Sequence, residues 1–182
     1  MKLTIDPYQL IDKYYSKERQ LKTILIAHSK SVAKKTLQIA ELHPELNLDK
    51  VFLVEASLLH DIGIFMTNAP DILCFGNAPY IAHGYLGSDI LKEEGLLKHA
   101  LVCERHTGTG LSLKTIKEHN LPIPKRDMLP VTLEEQVICF ADKFYSKSNI
   151  LQEKSVKQAR ESLEKFGDGV VNQFDIWTKA FL

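Results

Sequence analysis

Apolar residues recur along this 182-residue chain at helical spacing, and no long two-residue alternation of the kind that marks a strand is sustained. Leu25, His28, Val32 and Ile39 fall on one stripe and predict a helix from about Lys22 to Leu42 with His28 facing inward. Phe52, Ala56, Leu59, His60 and Gly63 form a second stripe, which puts His60 on a buried face, Gly63 at a natural helix end and Asp61 at the mouth of that helix. The stretch Thr67 to Pro79, with two prolines, Gly76 and two asparagines, reads as a loop leading into a helix that carries His83, Gly87, Ile90 and Leu91. Gly87, one turn beyond His83, would let a neighbouring helix approach closely. Gly95 ends that helix, and Leu96 to Arg105 forms the next, with His106 at its C-terminal edge.

Three prolines then interrupt the pattern between Asn120 and Pro130. Thr132-Leu133-Glu134-Glu135 has the form of a capping box and opens a helix bearing Val137, Ile138, Ala141, Asp142 and Tyr145. Two last helices, about Ser155 to Phe166 and Val170 to Phe181, carry apolar stripes without polar clusters and read as packing elements. With no repeat and no Ser/Gly linker, the expectation is one all-α domain over residues 1–182, a helical bundle whose core spans about 20–150.

Composition changes this picture little. At 45% apolar and 25% charged the chain can bury a core without staples. Lys+Arg and Asp+Glu both number 23, so net charge points to neither a nucleic-acid backbone nor an anionic membrane as partner. Cys74, Cys103 and Cys139 are widely spaced and form no CxxC, which favours buried thiols over disulfides or a thiolate zinc site. No segment reads as a signal peptide or a membrane span, and a cytoplasmic location is expected.

The chemistry begins with His60-Asp61. An imidazole and a carboxylate at the inner end of a core helix are costly to bury unless paired, and a divalent metal ion pairs them well. Further ligand-type residues follow in order: His28 upstream, then His83 in Ala82-His83-Gly84, His106 in Arg105-His106-Thr107-Gly108, and Asp142 in Ala141-Asp142-Lys143. With this H…HD…H…H…D order and the quartet His60-Asp61-Ile62-Gly63, the sequence resembles the HD superfamily of metal-dependent phosphohydrolases over roughly residues 20–150, in the branch carrying two additional histidines.

The resemblance implies that His28, His60, Asp61 and Asp142 hold one metal, that His83 and His106 hold a second, and that Asp61 bridges them. It implies hydrolysis of a phosphoester or phosphoanhydride, in a nucleotide or dinucleotide, by metal-activated hydroxide. Histidine and carboxylate ligands suit iron, manganese, cobalt, nickel or zinc better than an all-oxygen magnesium site. The chain is similar in pattern to bacterial HD hydrolases that split dinucleoside polyphosphates, although its Asn120–Pro130 segment and Asp142–Tyr145 context differ from theirs. Alternatives are a single-metal nucleoside monophosphate phosphatase and a non-catalytic nucleotide sensor. A Gly-Tyr-Pro phosphodiesterase fits poorly, since Gly84-Tyr85-Leu86 comes directly after His83.

Beside the ligands, Lys143 and Arg105 are cations placed to meet a substrate phosphate, with a solvated surface charge as the competing reading for each. Glu104 to Gly110 is glycine-rich but follows a helix rather than a strand, so it is no phosphate loop; a substrate-facing loop and a simple turn both fit. His43, His99 and His119 are expected at the surface or at helix caps, and Lys34-Lys35 on the outer face of the first ligand helix.

Overall fold

A computed structural model describes residues 1–149 and 152–182. Its helices are α1 (Pro7–Tyr14), α2 (Arg19–Leu42), α3 (Lys50–Leu59), α4 (His83–Glu93), α5 (Leu97–Arg105), α6 (Leu113–Glu118), α7 (Leu133–Asp142), α8 (Val156–Glu161) and α9 (Asp168–Phe181). Between α3 and α4 lie three very short strands, β1 (Thr67–Ala69), β2 (Cys74–Phe75) and β3 (Ala78–Pro79). The central β1 pairs antiparallel with β2 and parallel with β3. This small sheet stands where the sequence predicts a loop; strands of two or three residues are too short to carry an alternation signal, and Pro79 lies at the edge, where its missing N–H costs nothing.

Most boundaries follow local chemistry. Asp6 caps α1 by accepting from the backbone N–H groups of Tyr8 and Gln9, and Pro7 occupies the first helical position. Asp49 and Ser112 cap α3 and α6 in the same way. At Thr132 only half of the expected capping box forms. The hydroxyl accepts from Glu135 N, but the Glu135 carboxylate accepts from Val131 N at 2.8 Å and from Arg105. The helix predicted over Ser155 to Phe166 stops at Glu161. There Ser162 Oγ bonds back to the Ala159 carbonyl at 2.7 Å, and the chain tightens into a 3₁₀ turn at Glu164–Phe166.

Two apolar clusters flank the middle of the molecule. One joins α2, α3, α7 and α9 through Val32, Leu53, Phe140, Phe144 and Phe174; the other joins α1, α2, α3, α4 and α5 through Ile11, Leu25, Leu59, Leu91 and Cys103. Each fully buried large side chain contributes about 1.5–3 kcal/mol. Helix α3 gives Leu53 and Ala56 to the first cluster, while Leu59 and the following Ile62 belong to the second. His60-Asp61 therefore falls between two apolar clusters, which pack against it from both sides.

Two expectations about polar residues are corrected. Lys35 is buried, with Nζ 2.7 Å from Glu153 and 4.0 Å above the Phe144 ring, whereas Lys34 alone faces water. A lysine stem can cover apolar surface while its ammonium finds a carboxylate, and the charge pattern alone does not separate these cases. His99 is likewise buried, against Phe52 and within 3.3 Å of the buried Glu55. Glu55 also accepts from Thr4 Oγ1 at 2.9 Å and from Ile5 N at 3.1 Å, which ties the start of the chain to α3. His43 does cap α2 and His119 ends α6.

Candidate metal centre

Five segments converge on one buried point. His28 comes from the middle of α2, His60-Asp61 from the end of α3, His83 from the start of α4, His106 from the end of α5 and Asp142 from the end of α7. Helix ends suit this task because a side chain there can point along the axis into a shared centre while the rest of the helix packs. The segment after Asp61 is pinned as well: the buried Tyr15 hydroxyl donates to the Ile62 carbonyl at 2.7 Å.

Three histidines share one orientation device. Nδ1 of His60, His83 and His106 lies 2.6, 2.6 and 2.7 Å from the carbonyl of Ser57, Tyr80 and Cys103 respectively, each three residues upstream. A ring nitrogen facing a carbonyl must carry the proton. That assigns N–H to Nδ1 and leaves Nε2 with a lone pair facing inward, as a metal ligand requires.

The inward atoms sort into two sets. In the first, Asp61 Oδ2 lies 3.2 Å from His28 Nε2 and 3.0 Å from His60 Nε2, and Asp142 Oδ1 lies 2.9 and 3.4 Å from the same two nitrogens. In the second, Asp61 Oδ1 lies 3.4 Å from His83 Nε2 and 3.3 Å from His106 Nε2, and those two nitrogens are 3.0 Å apart. Ligands held about 2.1 Å from a common ion sit roughly 3.0–3.4 Å from each other in octahedral or tetrahedral arrangement, which is the spacing found.

Hydrogen bonding does not explain these approaches. His28 Nε2, His60 Nε2 and Asp61 Oδ1 are buried without a well-formed hydrogen bond. In the second set, two imidazoles that each spend their proton on a carbonyl would face lone pair against lone pair across 3.0 Å. Buried polar atoms in that state cost free energy that a cation in each set would recover. The donor set, four imidazoles and two carboxylates, fits borderline divalent ions.

Charge within the metal-free centre is internally balanced. Burial alone would lower the His60 pKa, but Asp61 and Asp142 beside the ring outweigh it and push it up to about 9. Asp61 is held well below the usual carboxylate range: burial opposes ionisation, and His60 and Lys147 overcome it. Asp142 is held low against the same burial by Lys143 and His28. His83 is pushed down to about 3 by burial and by the neighbouring His106, whose own value is lowered by burial.

Of the two cations named from the sequence, Lys143 is brought to the centre and Arg105 is not. Lys143 Nζ lies 2.8 Å from Asp142 Oδ2 and donates to the His106 carbonyl at 3.0 Å, so it braces ligands from both sets. Arg105 turns instead to the buried Glu135, with Nη1 2.9 and 3.1 Å from its two oxygens. Sequence reasoning missed Lys147. It reaches in from the turn after α7 to place Nζ 2.6 Å from Asp61 Oδ2. Only its nearness to Asp142, five residues before it, offered a signal. The Thr107–Gly110 segment closes as a turn, Gly110 N to Thr107 O at 2.9 Å, leading from α5 toward α6.

A mostly helical scaffold that gathers four histidines and two aspartates in this order defines a metal-binding domain of the HD type. The HD domain family matches residues 25–146, and the chain belongs to that family, one of metal-dependent hydrolases. Over 135 residues the chain is 34% identical to an uncharacterized protein of Methanocaldococcus jannaschii, covering 69% of this chain and 72% of that one. It is 29% identical over 140 residues to a tRNA (cytidine(56)-2'-O)-methyltransferase of Picrophilus torridus, and 29% over 163 residues to the protein of the same name in Thermoplasma volcanium. These matches cover 76% and 82% of this chain but only 36% and 43% of those two longer proteins. No solved structure matches. Among the described residues no helix is long and apolar enough to cross a membrane.

Proposed function

We propose that this chain is a phosphohydrolase with a dinuclear metal centre, acting on a phosphoester or phosphoanhydride bond in a small nucleotide or dinucleotide. The observation that carries the reading is the division of Asp61, one oxygen to the His28–His60–Asp142 set and the other to the His83–His106 pair. Two divalent ions, when bound, would supply an activated water and compensate the charge of phosphoryl oxygens. The protein's part is to hold them: the Nδ1 bonds fix three imidazoles, Asp61 spaces the two sets, and Lys143 locks Asp142 against the turn carrying His106. Water adds to phosphorus while the ester or anhydride oxygen leaves with its electron pair and takes up a proton. Metal release and loss of activity should therefore go together.

The methyltransferase name of two relatives describes proteins more than twice the length of the shared part. We assign methyl transfer to none of the residues here, because a cluster of imidazoles and carboxylates offers no feature of methyl-donor binding. The tRNA in the name of those relatives puts a phosphorylated nucleotide derived from RNA among the substrates to be tested.

The test is metal analysis of the purified protein followed by a phosphate-release screen over nucleoside mono-, di- and triphosphates, dinucleoside polyphosphates and RNA-end phosphates. Two ions per chain and turnover of one class support the reading. His83→Ala and His106→Ala should each reduce the content to one ion and abolish turnover; full activity in both would leave a single-metal phosphatase. Tight nucleotide binding without phosphate release by the metal-loaded protein would leave a sensor.

A further inference from the structure

Each carboxylate of the centre has its own lysine: Asp142 Oδ2 lies 2.8 Å from Lys143 Nζ, and Asp61 Oδ2 lies 2.6 Å from Lys147 Nζ. The two lysines are not held alike. Lys143 Nζ has a second anchor in the His106 carbonyl, whereas Lys147 Nζ pairs with Asp61 beside the ring of Tyr80. Lys147 also stands on a small turn rather than on a helix, closed by Asn149 N to Ser146 O at 3.3 Å, with Ser148 and Asn149 exposed. Its ammonium engages the same Asp61 oxygen that faces His28 and His60, the oxygen the first metal set needs.

From this juxtaposition we infer that Lys147 competes with metal for Asp61: it gives up the carboxylate when metal binds and then pairs with the phosphoryl group of the substrate. The inference rests on the hydrolase reading for its second half only. Leaving the imidazoles aside, the two aspartates and the two lysines paired with them cancel. Two divalent ions added to that sum would leave roughly four uncompensated positive charges, so a cation must withdraw and an anion must enter. Asp61 is wholly buried while Lys147 reaches it from a surface turn, so a withdrawn ammonium moves toward solvent. Paired with Asp61, the ammonium already lies 5.9 Å from the ring centre of Tyr80, which stacks on His83 with ring centres 4.7 Å apart, so its way out runs beside the second histidine pair. A phosphoryl group arriving at both metal sets would pass that ammonium, and a charge-assisted bond to it would replace the one lost to Asp61.

The experiment compares the wild type, Lys147→Gln and Lys147→Arg in two calorimetric titrations: Mn2+ into the metal-stripped protein, then inorganic phosphate into the Mn2+-loaded protein. Lys147→Gln should bind Mn2+ about tenfold more tightly or better, because no competing ammonium remains, and bind phosphate about ten- to a hundredfold more weakly. Lys147→Arg, which keeps the charge, should stay within about threefold of wild type in both. If the stripped Gln variant unfolds, refolding on addition of Mn2+ is the same outcome in stronger form, and failure to refold overturns the proposal. Unchanged or weaker Mn2+ affinity overturns it too, as does unchanged phosphate affinity. Both shifts occurring in a protein that releases no phosphate from any substrate would defeat the hydrolase reading and leave the role of Lys147 intact.

Discussion

The backbones of Gly63 and Gly87 touch: a Cβ at Gly63 would lie 2.4 Å from the Gly87 nitrogen and equally close to the His83 carbonyl oxygen. The obstructing atoms are backbone, so they cannot rotate away. Gly63 follows Asp61 by two positions and Gly87 sits one turn beyond His83, so this contact sets the distance between the His60-Asp61 pair and His83.

Gly63→Ala should therefore cost about 1–3 kcal/mol or more in stability and misplace His83. The expected signature is selective: in metal analysis the second ion is lost while the first remains. Retention of both ions with an unchanged melting temperature would mean that the contact has slack.

Asp61→Ala should abolish hydrolysis and strip both sites, since each set loses an oxygen. Stability should fall as well, because His28, His60 and Lys147 all lose the buried oxygen they face. Circular dichroism should still report a helical protein, because both apolar clusters are untouched. Normal turnover by this variant would refute the bridging arrangement.

Lys143 and Arg105 should separate cleanly. Lys143→Ala releases Asp142 and the His106 turn, and catalytic efficiency should fall about ten- to a hundredfold. Arg105→Ala instead leaves the buried Glu135 without its guanidinium, costing about 1.5–3 kcal/mol of stability. Its efficiency should remain within about threefold of wild type. Melting temperature and kcat/KM measured side by side check the contrast, and a large efficiency loss in Arg105→Ala would return it to substrate binding.

The metal-free protein should lose stability as pH falls from about 6.5 toward 3. His83 has its pKa lowered to about 3 in the folded state, so below its unfolded value of 6.5 the unfolded chain binds the proton first. His106 is lowered too and acts in the same direction. His60 is raised to about 9, so its contribution is fully present below 6.5 and is lost as pH rises toward 9. Thermal melts in chelator across this range should show a maximum near neutrality. Replacing His83 with Gln should flatten the acid arm, and an unaltered acid arm would show that His83 does not carry it.

The long helices were legible in the sequence because α2, α3 and α7 each bury a continuous stripe, and the ligand order was legible because ligand-type residues in core positions are scarce. What escaped has a common cause. Helices α1 and α6 bury one or two residues each, too few for a period to register, although Asp6-Pro7 and Ser112 were available as start signals. Lys35, His99 and Lys147 were misread or passed over because burial of a polar side chain depends on a partner far along the chain: Glu153, Glu55 and Asp61. Arg105 is adjacent to a ligand in sequence, yet helix geometry sends its side chain to α7.

Glu55 gives the beginning of the chain an unexpected reach. Through the bonds from Thr4 and Ile5 it works as a peg driven under α3, five residues ahead of His60. Trimming those first residues, or pulling on them through a segment joined ahead of them, would leave a buried carboxylate with His99 as its remaining side-chain partner and loosen the helix that aims the His-Asp pair. An end that looks like a convenient handle is thus mechanically coupled to the centre of the molecule.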